Sequence, residues 1–431
     1  MGTNRSIAVH HVTRIEGHGD ITAEIKDGAL EQVRFSVVEA PRFFEAFLRG
    51  HHHNEVTHMA SRICGICAVS HKCAALKATE AALGVAISDQ THLLRRLAYH
   101  GEVLSSHILH IYFLAGPDFF DVPSVFPLVD QDREMVRRAM RLKNLGYDLS
   151  KVVVGRHTHP IAMVAGGFTF VHQAEKLKAM KDRIAEGLDD LKETVRTLQG
   201  IDLPDLERET EYVSLTHPDR YAFYDGEILS SDRDEPVAPD PYREVIEEYA
   251  VDYSTAKYAR WNRPEYMTGA LARFNNNYEQ LTDGAKTAAE DLGLTHPCHK
   301  PFTNTIAQVV ECVHCLEDAR DLIDTLVNGG IRPGREHENV KDQAGAGVGA
   351  VEAPRGILFH EYEYDDEGKC LSANMVIPTA QNLANLEADM RAYVPAIAGE
   401  SKETITHRLE MLVRAYDPCI SCSTHVIDLR K

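Results

Sequence analysis

The chain has 431 residues and a formal net charge of −19, with 44% hydrophobic and 26% charged residues. That balance is ordinary for a globular protein with a sizeable core, and its acidity argues against nucleic acid or an anionic membrane as partner. No stretch reaches the roughly 18 to 20 apolar residues of a membrane span. Residues 1–6 carry neither a signal-peptide core nor a twin arginine, so a cytoplasmic protein is expected.

Residues 7–38 read as strands, with loose alternation over 9–12 and 20–25, a hairpin signal at Asp27-Gly28 and a further run over 33–38. Between the first two runs lies Thr13-Arg14-Ile15-Glu16-Gly17-His18, charged where a plain hairpin would carry only turn residues. Helical spacing begins near Pro41. Residues 68–83, closed by Gly84, start directly at a cysteine pair, where the positive end of a helix favours thiolate. Asp89 reads as the N-cap of a long helix to Leu114, stopped by Ala115-Gly116-Pro117. Residues 131–145 and 173–198 give further helices, the second strongly amphipathic.

Residues 200–265, richer in Pro, Asp and Tyr, are expected to form a β-rich insertion. Helix resumes near Leu281 and is strongest over 304–327. Residues 345–356 read as a glycine-rich loop that lacks the lysine and spacing of a phosphate loop, so nucleotide binding is not expected. Alternating strands over 357–364 and 370–377, then helices over 383–398 and 402–416, lead to the C-terminus. The expected fold class is mainly α with small β elements (α+β). One domain spans 1–431; within it 1–60 hold the N-terminal strands, 200–265 the insertion, and 345–431 the glycine-rich loop, hairpin and terminal motif.

The chemistry sits in two distant Cys-x-x-Cys pairs. One is Arg62-Ile63-Cys64-Gly65-Ile66-Cys67, followed by Ser70-His71; the other is Asp417-Pro418-Cys419-Ile420-Ser421-Cys422-Ser423-Thr424-His425. Each is half of a closed four-donor site. If they meet, the owner is structural zinc, an iron–sulfur cluster, or a catalytic centre of soft redox metals such as nickel and iron. Unrelated redox disulfides are a fourth reading. Zinc sites usually draw both pairs from one local unit, and pairs near opposite ends of a chain shift the weight toward a buried catalytic centre.

With their flanks, these motifs resemble the large subunit of nickel–iron hydrogenases, essentially from end to end. The resemblance implies that Cys64 and Cys419 bind nickel terminally, that Cys67 and Cys422 bridge nickel to iron, and that the iron carries carbon monoxide and cyanide. It makes Glu16 the proton-relay carboxylate, which burial would tune toward neutrality; without it, Glu16 reads as a salt-bridged strand end. It places Arg355, after Pro354, over the metals and held by Asp417; alone, Arg355 reads as a surface turn residue. Cys419 would take the proton from dihydrogen cleavage. Thr379 would face a cyanide, and His71 would donate to a bridging sulfur rather than ligate. Glu45, the carbonyl of Met375 and His425 would bind magnesium, or iron, near the C-terminus.

The implied activity is reversible cleavage of dihydrogen to protons and electrons. Electrons would pass to an iron–sulfur small subunit and on, through flavin or cluster subunits, to a soluble acceptor. A slow dihydrogen sensor and a zinc-stabilised non-catalytic protein are the competing functions. Ser106 stands where respiratory uptake members carry aspartate, a departure typical of the soluble multimeric branch. Family precursors are cleaved after the histidine at position 425, whereas here Val426 to Lys431 follow, so the tail is either retained or awaits processing. Cys312-Val313-His314-Cys315 lies in an apolar helical pattern and reads as core, as do Cys73, Cys298 and Cys370. His51-His52-His53, with Glu55 and His58, reads as a solvated or subunit-facing loop rather than a metal site. His107 and His110 line the site's approach or the core.

Overall fold

The computed structural model describes residues 5–26, 29–332, 337 and 340–424. The Asp27-Gly28 turn, His425 and the 426–431 tail lie outside the described residues. The fold is mainly α with small β elements, as expected.

Four long helices make the core. Asp89–Leu109 lies along Arg133–Val154, with Asn304–Gly329 against the first and Ala174–Leu198 beyond it. The first pair touches backbone to backbone: a Cβ on Gly101 would sit 2.6 Å from the Gly146 carbonyl oxygen, and one on Gly146 at the same distance from that of Gly101. The cap of the first helix is Ser88, which accepts from the Thr91 N–H, and Asp89 is its first residue. Its α-helical part ends at Leu109, and His110–Ala115 continue as a π-helix, a form that often marks functional positions. Arg133–Val154 overruns its expected end at 145 by more than two turns and stops at Gly155, where φ is +77°.

Three antiparallel strands, Arg5–Val9, Gly19–Lys26 and Ala29–Val37, form the N-terminal sheet, so residues 10–12, expected to be strand, lie past its edge. A second meander joins Gly345–Ala353, Gly356–Tyr364 and Cys370–Val376. The expected glycine-rich loop is therefore a strand. Gly345, Gly347 and Gly349 share one face, and that face rests on the backbone of the Ala68–Ala82 helix. A Cβ at these positions would meet the carbonyl oxygens of Ala82, Ala78 and Ala74 at 2.1, 2.4 and 2.2 Å. Two strand residues rise about 6.6 Å and one helical turn about 5.4 Å, so alternate glycines match successive turns. Residues 200–265 hold the short strands Glu211–Thr216, Glu227–Ser230, Glu247–Tyr249 and Tyr258–Arg260.

These contacts aim four segments at one point. The Ala68–Ala82 helix begins at Cys67, and the glycine strand ends at the Pro354-Arg355 turn. The Pro378–Ile397 helix opens with Thr379, and Glu16 pairs in parallel with Cys419 beside the final Ile420–Ser423 turn.

Candidate metal centre

The first cysteine pair wraps a turn around its own sulfur, with the N–H groups of Ile66 and Cys67 both 3.3 Å from Cys64 Sγ. Such donors favour thiolate. The second pair is turned toward it by Asp417, a non-glycine residue at φ +49°, and by the Ile420 N–H, which donates to the Glu16 carbonyl at 3.0 Å. Cys64 Sγ then lies 3.6 Å from Cys419 Sγ, and Cys67 Sγ 3.6 Å from Cys422 Sγ. Cys419 and Cys422 approach to 2.6 Å, a contact that two bound thiolates would widen. All four sulfurs are buried within 4.8 Å of one another.

A disulfide needs about 2.05 Å, whereas two ligands about 2.3 Å from one tetrahedral metal stand roughly 3.7 Å apart. The donor set fits metal: the sulfurs of the two pairs face each other at ligand spacing, and none of the nine cysteines is in a disulfide. Hydrogen bonds from Cys419, Cys422 and Cys67 hold the Cys64 thiol well below its usual range, while burial drives Cys422 well above it. Four thiols this close cannot all ionise without a cation, so metal loading must release protons.

Beside the sulfurs lies a small cavity, walled by Ala353, Pro354, Leu358, Ile377 and Pro378. Arg355, Thr379 and His71 supply its polar groups. Arg355 is buried rather than exposed on a turn. Its Nε donates to the Asp417 carbonyl at 2.7 Å, its Nη2 to Asp417 Oδ1 at 2.9 Å and its Nη1 to Ser106 Oγ at 3.3 Å. With a neutral hydroxyl at position 106, the guanidinium charge is offset by Asp417 first and by the sulfurs of Cys419, Cys67 and Cys64 after it. Thr379 Oγ1 accepts the Cys419 N–H at 2.9 Å, which leaves its own proton for the cavity. Burial lowers the His71 imidazole to about 4, so it is neutral near pH 7.

Glu16 is half-buried in this chain, where a buried carboxylate is expected. Its Oε2 accepts the Ser421 N–H at 3.0 Å. The Ser421 hydroxyl reaches Glu39 Oε2 at 3.3 Å, and Glu39 Oε1 meets Nδ1 of the exposed His18 at 2.8 Å. Glu45 is buried, and its Oε1 accepts the Met375 N–H at 3.0 Å. Burial pushes this carboxyl up to about 7, against the pull of Lys257. The Thr424 carbonyl accepts the Arg42 N–H at 3.0 Å, which brings the end of the described chain beside the Glu45 helix.

His52, His53 and Asp342 also gather, with both Nε2 atoms on Asp342 Oδ1 at 2.9 and 3.1 Å. His52 Nδ1 accepts the Asn54 N–H, so its proton sits on Nε2. The trio is a hydrogen-bonded clamp in this arrangement.

The sequence profile of nickel-dependent hydrogenase matches residues 42–138 and 209–425, and one described as HoxL-like matches residues 6–40. This chain belongs to the nickel-dependent hydrogenase family. Sulfhydrogenase 1 subunit alpha of Pyrococcus furiosus is 34% identical to this hydrogenase chain over 426 residues, 98% of each. NAD-reducing hydrogenase HoxS subunit beta of Cupriavidus necator is 28% identical over 484 residues, 98% of this chain and 95% of that one. A crystal structure of an NAD+-reducing NiFe hydrogenase in the H2-reduced state superimposes with a TM-score of 0.89 at 28% identity, covering 99% of this chain and 100% of that one.

Two features of this hydrogenase escaped sequence reasoning. The buried Glu102 carboxylate accepts the Val69 and Ser70 N–H groups at 2.5 and 2.8 Å, capping the helix behind Cys67. Arg273, also buried, holds the Arg355 turn from beneath through the carbonyls of Ala353 and Pro354 at 3.0 and 2.9 Å. Its charge is met by Glu311 at 2.7 Å and Glu352 at 2.8 Å. The eye-catching residues of the Cys312-Val313-His314-Cys315 run sit in the core, while Glu311, just before them, serves the site. Only its burial, unreadable from one sequence, would have marked it.

Proposed function

We propose that this hydrogenase large subunit cleaves dihydrogen reversibly into protons and electrons at a nickel–iron centre held by Cys64, Cys67, Cys419 and Cys422. The observation that carries the reading is the convergence of four buried sulfurs at metal-ligand spacing beneath the Arg355–Asp417 pair. When bound, a nickel–iron centre with carbonyl and cyanide groups on its iron would supply the polarisation of dihydrogen. Cys64 and Cys419 would hold nickel, and Cys67 and Cys422 would be shared between nickel and iron.

The protein's own groups then divide the work. Cys419 Sγ accepts the proton of heterolysis, and Glu16, paired to the Cys419 backbone, takes it onward. Ser421, Glu39 and His18 continue that line toward the surface. Arg355, fixed by two bonds to Asp417, presents a guanidinium edge to the cavity and stabilises negative charge developing there. The apolar wall of Pro354, Leu358 and Ile377 keeps water out. Thr379, whose hydroxyl proton is free for the cavity, would offer it to a cyanide. Glu45, the Met375 carbonyl and His425, the last outside the described residues, would hold magnesium, or iron.

Among the described residues, the four-thiol group is the only cysteine cluster able to hold a metal. Electrons therefore leave through another chain, an iron–sulfur small subunit, and reach a soluble acceptor through flavin or cluster subunits. Relatives named as sulfhydrogenase and NAD-reducing hydrogenase subunits support that route. No helix among the described residues is long and apolar enough to cross a membrane.

Elemental analysis paired with infrared spectroscopy tests the proposal. Protein matured in its native host should contain nickel and iron near one to one, show carbonyl and cyanide stretches, and lose nickel in Cys419→Ser. Zinc alone, with no such stretches, would overturn it.

A further inference from the structure

The strand Gly356–Tyr364 carries an unusual inner face. Leu358, His360, Tyr362 and Tyr364, at alternate positions, are all buried against the helix that begins at the metal centre. Leu358 lines the cavity, and the polar residues follow in line behind it. His71, from the facing helix, puts its Nδ1 3.0 Å from His360 Nε2. His360 in turn puts its Nδ1 2.6 Å from the Tyr362 hydroxyl.

The geometry points to a directional chain in which His360 and Tyr362 are positioning residues that lock His71 into the tautomer protonated on Nε2, so that the metal centre meets an N–H and not a lone pair. This assignment rests on the nickel–iron reading for its chemistry but not for its hydrogen bonds.

The direction follows from Tyr362. Its side chain is fully buried, and among the described residues the hydroxyl has no hydrogen-bond partner except His360. Burial pushes the phenol well above its ordinary range, so it keeps its proton. A hydroxyl that accepted from His360 would leave that proton buried without an acceptor, at the full desolvation cost of the group. Tyr362 therefore donates to His360 Nδ1. With Nδ1 accepting, His360 carries a proton on Nε2 and donates it to His71 Nδ1. His71, whose Nδ1 accepts that proton, carries its own on Nε2, the edge turned from His360, while its side chain lines the cavity with Cys67 and Cys422. The outer partner of a ring nitrogen sets what the inner nitrogen can do. An N–H directed at a thiolate withdraws electron density from the sulfur. A lone pair in the same place would compete as a fifth ligand.

Two measurements on the full chain separate this from simple packing. In metal-free protein labelled with nitrogen-15 histidine, the His71 signals are identified by their loss in His71→Gln. They should report Nε2–H in the wild type and a mixture of tautomers in Tyr362→Phe. A wild-type His71 protonated on Nδ1 would overturn the assignment whether or not the nickel–iron reading stands. In the complete metal-loaded enzyme, Tyr362→Phe and His360→Leu should retain nickel but move or split the carbonyl stretch, toward lower wavenumber as the thiolate regains electron density. His360→Gln, whose amide N–H can still donate to His71, should restore the band. A carbonyl band unmoved in both disrupting variants, with thermal midpoint and nickel retained, would reduce the pair to core packing.

Discussion

Arg355 shows how one side chain is fixed by geometry that its neighbours in sequence do not supply. Two of its bonds go to Asp417, 62 positions away, and the third goes to Ser106 at 3.3 Å. Lysine keeps the charge but cannot make the fork. Arg355→Lys should therefore lose about 100-fold or more in dihydrogen oxidation while keeping its nickel, since removal of one preorganised donor costs about that much. Dihydrogen uptake and metal content on the same preparation check this, and loss of nickel would assign Arg355 to assembly instead. Cys315 is the contrasting case. It is fully buried in the Asn304–Gly329 helix, and burial holds its thiol well above the usual range, so it is inert packing. Cys315→Ala should cost roughly 1 kcal/mol in a denaturant titration and leave nickel content unchanged.

At the scale of the element, the glycine strand and the Ala68–Ala82 helix act as one device. The helix begins at a metal ligand and the strand ends in the Arg355 turn, so their spacing sets the depth of the cavity. Gly347 has 2.4 Å between its virtual Cβ and both the Ala78 carbonyl oxygen and the Ala82 nitrogen. These are backbone atoms that cannot turn aside. Gly347→Ala should lower stability by about 2–3 kcal/mol, read as a fall in thermal midpoint, and shift the strand off the helix. Gly399→Ala is the control, because nothing lies within 4 Å of its virtual Cβ; it should stay within about 0.5 kcal/mol of wild type. Equal effects at the two positions would show that the close approach is not what the glycines serve.

The molecule as a whole is tied together by buried charge. Arg273, Glu311, Glu352 and His107 link three helices to the meander at full burial. Burial alone would raise Glu311, but the Arg273 guanidinium and His107 overcome it and hold the carboxyl at about 2 against 4.5 for the free group. A folded-state pKa below the unfolded one contributes stability that is complete above about pH 4.5. It is lost as pH falls through about 2, a contribution on the order of 3 kcal/mol. Glu311→Gln should be less stable than wild type at pH 7, with Arg273 left partly unpaired, yet lose less between pH 5 and pH 2. Urea midpoints across that window test it, and parallel slopes would sink the idea. The sequence alone determined the helices at 68–83, 173–198 and 304–327, because 3.6-residue periodicity is a local signal. It also carried the metal chemistry, because thiols at i and i+3 with their flanking Arg, His and Asp-Pro are written in short runs. Only the tertiary structure decided that the glycine-rich segment is a strand, since its reason is a helix backbone some 270 positions away. The same holds for the half-exposure of Glu16, the burial of Arg355, and the alignment of His71 with His360 and Tyr362. Each depends on a partner across a sequence gap that no spacing rule spans, because side chains from different elements meet only where packing puts them.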